Sequence, residues 1–120
     1  MLNHEICAEL STVGLNCAEM VQKFMDSEEM FLKYFKKFFE AADSVVEELF
    51  AAIQSGDHAA IENRAHALKG LSGNIGLYGV YDPARNIVDE IRANNFGGYK
   101  WHFDKLQAAY KKAKAVAQKL

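Results

Sequence analysis

The sequence predicts an all-α fold, an antiparallel four-helix bundle with an additional N-terminal helix or helical extension, and three observations lead there. The chain has 120 residues with one proline and eight glycines, and the glycines fall mostly in clusters at breaks. Apolar residues recur at three- and four-residue spacing over several long segments, which is the signature of a helix face. No segment alternates apolar and polar residues as a half-buried strand would. Short connections then make successive helices antiparallel.

Taken in order, residues 3 to 10 are expected to form a turn or two of helix. Asn16 has the chemistry of an N-cap for a short helix that packs Met20, Val21 and Phe24 on the core. The longest helix spans about 27 to 54, where Phe31, Phe35, Phe38, Ala42, Val45, Leu49 and Ala52 lie on one face. Asp26 and Glu29 have capping-box spacing at its start, and SGD at 55 to 57 ends it. Asp57 begins the next helix, about 57 to 76, with Ile61, Ala65, Leu68, Ser72 and Ile75 inward and a stop near Gly76. Tyr78 to Asp82 reads as a connection, because Asp82 followed by Pro83 is an N-cap with the residue best tolerated at the first helical position. That helix buries Ile87, Val88 and Ile91 and ends around NNFGG at 94 to 98. A last helix runs from Tyr99 to Gln118 on Phe103, Leu106, Tyr110, Ala113 and Ala117. The length suits a single domain over 1 to 120.

Composition narrows the function. Half of the residues are hydrophobic and a quarter charged, as in soluble globular proteins rather than disordered or membrane chains. With a net charge of −2 and interspersed lysines, no basic stripe suits nucleic acid, and KKAK at 111 to 114 reads as a solvated helix face. No apolar run approaches the roughly 20 residues needed to span a bilayer. The start MLNHEICAEL lacks a secretory layout, so no membrane insertion and a cytoplasmic location are expected. Cys7 and Cys17 should then be reduced thiols. His4 with the two cysteines lacks a fourth zinc ligand, and no two histidines fall at metal-binding helical spacing, so no metal or other cofactor of its own is expected.

One stripe resists a purely structural account. At 100° per residue, with Ile61 at zero, the inward positions 61, 65, 68, 72 and 75 fall within about 40°, while Lys69 lies near 80°, Gly73 near 120°, His66 near 140° and Gly70 near 180°. Each interior glycine costs a helix roughly 0.5–1 kcal/mol relative to alanine. Two glycines flanking one histidine imply that bulk there harms something other than folding. A phosphoryl acceptor would explain all four residues. Imidazole is a good nucleophile near neutral pH, and a lysine at i+3 can reach the transferred oxygens. Glycines at i+4 and i+7 leave room for the phosphoryl group and a partner's loops. The plainer reading is a surface histidine, a solubilising lysine, and glycines that admit a neighbouring helix.

The segment AHALKGLSGNIG, at residues 65 to 76, resembles the histidine-containing phosphotransfer (HPt) domain family, with His66, Leu68, Lys69, Gly70, Ser72, Gly73 and Gly76 at the positions of its motif. The similarity runs from 13 to about 93, including the phenylalanine-rich helix before the motif, while the last helix is compatible but unspecific. Pro83 and Asp89 depart from the family pattern in the helix after the motif.

The resemblance implies a phosphorelay intermediate: His66 accepts a phosphoryl group from the aspartyl phosphate of one response-regulator receiver domain and passes it to another. Lys69 assists the phosphoryl oxygens, and Gly70, Gly73, Glu62 and Asn63 are the expected docking positions. Expected partners are receiver domains and a hybrid sensor histidine kinase, acting on a monomer, with Mg²⁺ supplied by the receiver. No nucleotide loop is present, so no ATP-dependent kinase activity is expected. The competing reading is an interaction module that binds a signalling partner through the same face without carrying phosphate. The initial Met1 and the completed last helix lead us to expect a free-standing chain rather than an excised domain.

Overall fold

The computed structural model describes residues 2–120. Among them are six helices and no strand: α1 (His4–Ser11), α2 (Cys17–Lys23), α3 (Glu28–Ser55), α4 (His58–Asn74), α5 (Tyr78–Arg92) and α6 (Tyr99–Ala117). The last four form the antiparallel bundle, with α4 packed between α3 and α5, and α6 closing on both α5 and α3. The short α1 and α2 are the N-terminal extension, α1 against α6 and α2 against α3. At about 1.5 Å per residue, the 28 residues of α3 span the whole 42 Å long axis.

The long helix starts one residue later than the capping-box reading places it. Ser27, not Asp26, is the cap, and its hydroxyl accepts from the Met30 amide at 3.1 Å. Asp26 instead sits with Met25 in a left-handed turn, both at φ 59°. The buried face of α3 is also wider than expected: Val46 is buried where Val45 was expected, and Leu32, Phe39 and Ile53 join it. The physical reason is that α3 faces both α4 and α6. It ends at Gly56, whose φ of 69° suits glycine. Asp57 then caps α4 by accepting from the Ala60 amide at 3.1 Å.

Every inward residue expected on α4 is buried, and the Ser72 hydroxyl is satisfied by donating to the Leu68 carbonyl at 2.6 Å. The next helix corrects the reading of Asp82–Pro83. Tyr78 to Asp82 are helical, and Pro83 lies inside α5, where its missing N–H forfeits one bond to the Gly79 carbonyl. The start of α5 is set by tertiary contact instead. The Gly79 amide donates to the Val13 carbonyl at 2.9 Å, and a Cβ on Gly79 would lie 2.5 Å from that oxygen. At the C-terminus, α6 stops at Ala117, which is half-buried rather than core, while Tyr99 and Val116 are added to the buried set.

A polar lock joins α6 to α3. The Tyr110 hydroxyl donates to Asp43 Oδ1, and Lys114 Nζ donates to Asp43 Oδ2 at 2.9 Å. These hydrogen bonds, Tyr110 first, hold the Asp43 carboxyl below the usual carboxylate range. Burial, followed by the same hydrogen bond, pushes the Tyr110 phenol upward.

Cys7 and Cys17 are joined by a disulfide that ties α1 to α2, with Cα atoms 5.8 Å apart. The expectation of two reduced thiols is thereby corrected. The α1–α2 turn brings the two residues within the Cα span of native disulfides, which no metal-type spacing in the sequence could reveal.

Candidate functional site

Burial of Ile61, Ala65, Leu68 and Ser72 fixes the rotation of α4, and the opposite side therefore carries His66 into solvent. Glu62 and Asn63 lie one turn before it, Lys69 and Gly70 one turn after, and Gly73 one turn further. Lys69 is half-buried and, among the described residues, takes part in no ion pair.

The two acceptors beside the histidine are engaged elsewhere. Glu62 Oε2 accepts from Arg92 Nε of α5 at 3.2 Å. Asn63 Oδ1 accepts from Arg64 Nε at 2.9 Å, and Arg64 in turn lies 3.7 Å from Glu48 of α3. Neither residue orients the imidazole. With Glu62 balanced by Arg92, Lys69 remains as the uncompensated charge on this stripe, a polarity that favours an anion over a cation.

The glycines separate into two cases. A Cβ on Gly73 would lie 3.2 Å from Tyr81 Cδ2, so that glycine makes room for an aromatic ring of α5. A Cβ on Gly70 would meet nothing within 4 Å. The chain's own packing therefore accounts for Gly73 but offers no reason for glycine at position 70.

The other histidines occupy different settings. His58 stacks on Phe96 with ring centroids 3.8 Å apart, His102 is paired with Glu90 at the α5–α6 end, and His4 is exposed on α1. Sequence reasoning missed Tyr81 and Arg92 as neighbours of the motif helix. Both arrive through α4–α5 packing, and no local spacing announces them. Among the described residues, no three His, Cys, Asp or Glu side chains converge as a metal site, and no helix is long and apolar enough to cross a membrane.

The arrangement offers a solvent-facing nitrogen nucleophile on a helix fixed by its core contacts, with a cation at i+3 and an open position at i+4. Compared with models of known families, residues 33–115 match the Hpt domain. This span covers most of α3, all of α4 and α5, and nearly all of α6. It thus includes the last helix, which had looked unspecific, and leaves out α1 and α2, which the resemblance had in part included. No curated protein and no solved structure gave a significant match.

Proposed function

Because the chain belongs to the Hpt domain family, we propose that it is a phosphorelay carrier whose acceptor is His66. In this reading a ring nitrogen of His66, with Nε2 at the exposed tip as the geometric favourite, attacks the phosphorus of a receiver's aspartyl phosphate. The N–P bond forms as the acyl phosphate O–P bond breaks, and the electron pair returns to the receiver carboxylate. The reverse sequence delivers the phosphoryl group to a second receiver. Lys69 neutralises charge on the transferred oxygens, since phosphoryl transfer depends mainly on positioning and electrostatics. Mg²⁺ is expected in the receiver's own carboxylates, where it would balance the phosphoryl charge. Glu62, Asn63, Gly70 and Gly73 belong to the docking face, with the Glu62–Arg92 pair keeping a bare carboxylate away from the incoming anion.

We place the carrier in the cytoplasm as a monomer that meets receiver domains and a hybrid sensor kinase transiently. The observation that supports this reading best is Gly70. An exposed helix position with space for a side chain carries the residue that weakens the helix, directly beside an exposed histidine.

The test is incubation with a phosphorylated receiver domain and Mg²⁺, followed by detection of acid-labile, base-stable label. Wild type should be labelled and His66→Gln should not. Equal labelling of the two would sink the assignment of His66. Absence of label with several receivers, together with unimpaired receiver binding by His66→Gln, would favour the interaction module.

A further inference from the structure

The α1–α2 hairpin plays no part in the phosphocarrier reading. It lies outside the residues matched by the family model and carries both cysteines. Noncovalent contacts of their neighbours brace the two helices that carry the cysteines. Ile6, Leu10, Leu15 and Met20 are buried, and Asn3 and Asn16 cap the two helices. The Leu15 amide donates to the Leu10 carbonyl at 3.0 Å, and the Val13 carbonyl is held by Gly79. With Cα atoms 5.8 Å apart, the bond between Cys7 and Cys17 can open and close without the hairpin being rebuilt.

Access and need point the same way. Both cysteines are only half-buried, and they line an open cleft of about 780 Å³ whose wall is mixed, with Asn3, His4 and Asn16 beside the apolar Leu2, Leu15 and Ala18. A small hydrophilic thiol can reach them there. The core is continuous from α1 to α6, so the fold lacks the thin core that makes small domains depend on permanent disulfides.

We propose that Cys7 and Cys17 are a reversible dithiol–disulfide site, exchanged with thiols and disulfides of the glutathione class, whose oxidation locks α1 to α2. The proposal stands independently of phosphoryl transfer. In the oxidising direction one cysteine thiolate attacks a sulfur of the small disulfide, whose S–S bond breaks to release one thiolate. The second cysteine thiolate then attacks the protein sulfur of the mixed disulfide and releases the other. Two protein thiols lose two electrons, the small disulfide gains them, and the two cysteine protons end on the two released thiols.

The lock acts on the end of the bundle where α4 turns into α5. Met20 of α2 packs so closely on Gly76 that a Cβ there would lie 2.3 Å from its sulfur, and a Cβ on Gly14 would lie 2.8 Å from the Gly79 nitrogen. Oxidation therefore stiffens the hairpin against the turn that ends the His66 helix.

For the test, the full chain is equilibrated in glutathione buffers of graded composition, quenched by alkylation and weighed intact, and amide hydrogen exchange is compared between the two end states. We expect one two-electron transition between dialkylated and unalkylated protein. Exchange over residues 4–23 and 75–79 should be about tenfold slower in the bridged form, with the core amides of α6 alike in both. Cys7→Ser and Cys17→Ser should each end as a glutathione adduct while keeping the melting temperature of the reduced wild type, which separates loss of the site from loss of the fold. Thiols that persist in fully oxidised glutathione would overturn the proposal. So would a bridge that opens only in denaturant, or equal hairpin exchange in the two states.

Discussion

Replacing Gly70 with alanine should make the protein more stable and a worse phosphocarrier. The stabilising part can be worked from the structure. Gly70 is exposed within α4, and an added Cβ meets nothing within 4 Å, so no steric penalty offsets the helix-propensity gain of roughly 0.5–1 kcal/mol. With an unfolding entropy near 2.1 cal/mol/K per residue, 120 residues convert that gain into a rise in Tm of about 2–4 °C. Gly73→Ala is the internal control for packing, because Tyr81 at 3.2 Å must give way and the propensity gain should be partly or wholly lost. The functional part comes from the partner. A methyl group forced into a close-packed contact costs about 1–3 kcal/mol, which is a fall of roughly fivefold to more than a hundredfold in kcat/KM for transfer from a phosphorylated receiver. The assays are thermal unfolding and single-turnover transfer on the same preparations. A Gly70→Ala protein that is stabilised but transfers at the wild-type rate would refute the reasoning that glycine at 70 serves a partner. One that is destabilised would refute the geometry.

Two further predictions concern charge. Arg92→Ala should unfold within about 1 kcal/mol of wild type, as expected for an exposed ion pair. It should nevertheless slow transfer about two- to threefold, because Glu62 then faces the incoming phosphoryl group unbalanced. Adding Glu62→Gln should restore the rate, and a double variant as slow as the single one would remove Arg92 from this role. The Asp43–Tyr110–Lys114 lock predicts a signed pH dependence. Asp43 has its folded pKa lowered, so its stabilisation is present above the unfolded carboxyl's value near 3.9 and is lost as pH falls below it. Tyr110 has its folded pKa raised, so its contribution is present below about pH 10 and lost as pH rises beyond that, where the unfolded phenol ionises first. Denaturant midpoints should show wild type converging on Asp43→Asn at acid pH, and Tyr110→Phe losing less stability than wild type above pH 10. Parallel pH profiles would contradict the lock.

Much of the fold was legible because it rests on local rules. The apolar spacing of α4 named all of its buried residues, and the caps at Asn16 and Asp57 are where side-chain chemistry predicted them. The misreadings of the α5 start and of the α3 face share one cause. Asp82–Pro83 carries a good local signal for a helix start, yet contact with the Val13 carbonyl starts α5 earlier, so the proline is carried inside. The width of the α3 face depended on how many neighbours that helix touches, which its own spacing does not record. At the candidate site, the stripe of His66, Lys69, Gly70 and Gly73 could be read from one helix. Its cross-helix neighbours Tyr81 and Arg92 could not, being set by how α5 lies on α4.

By itself, the sequence determined an all-helical bundle and the order of its main helices, and it put His66 on the outward side of the motif helix. Those properties follow from residue periodicity and capping within single segments. Tertiary structure alone decided that Gly73 accommodates Tyr81 while Gly70 faces open space, that Glu62 is held by Arg92, and that Cys7 meets Cys17. Each of these depends on the relative placement of two elements. That placement comes from summed core burial over the whole chain, and no single segment encodes it.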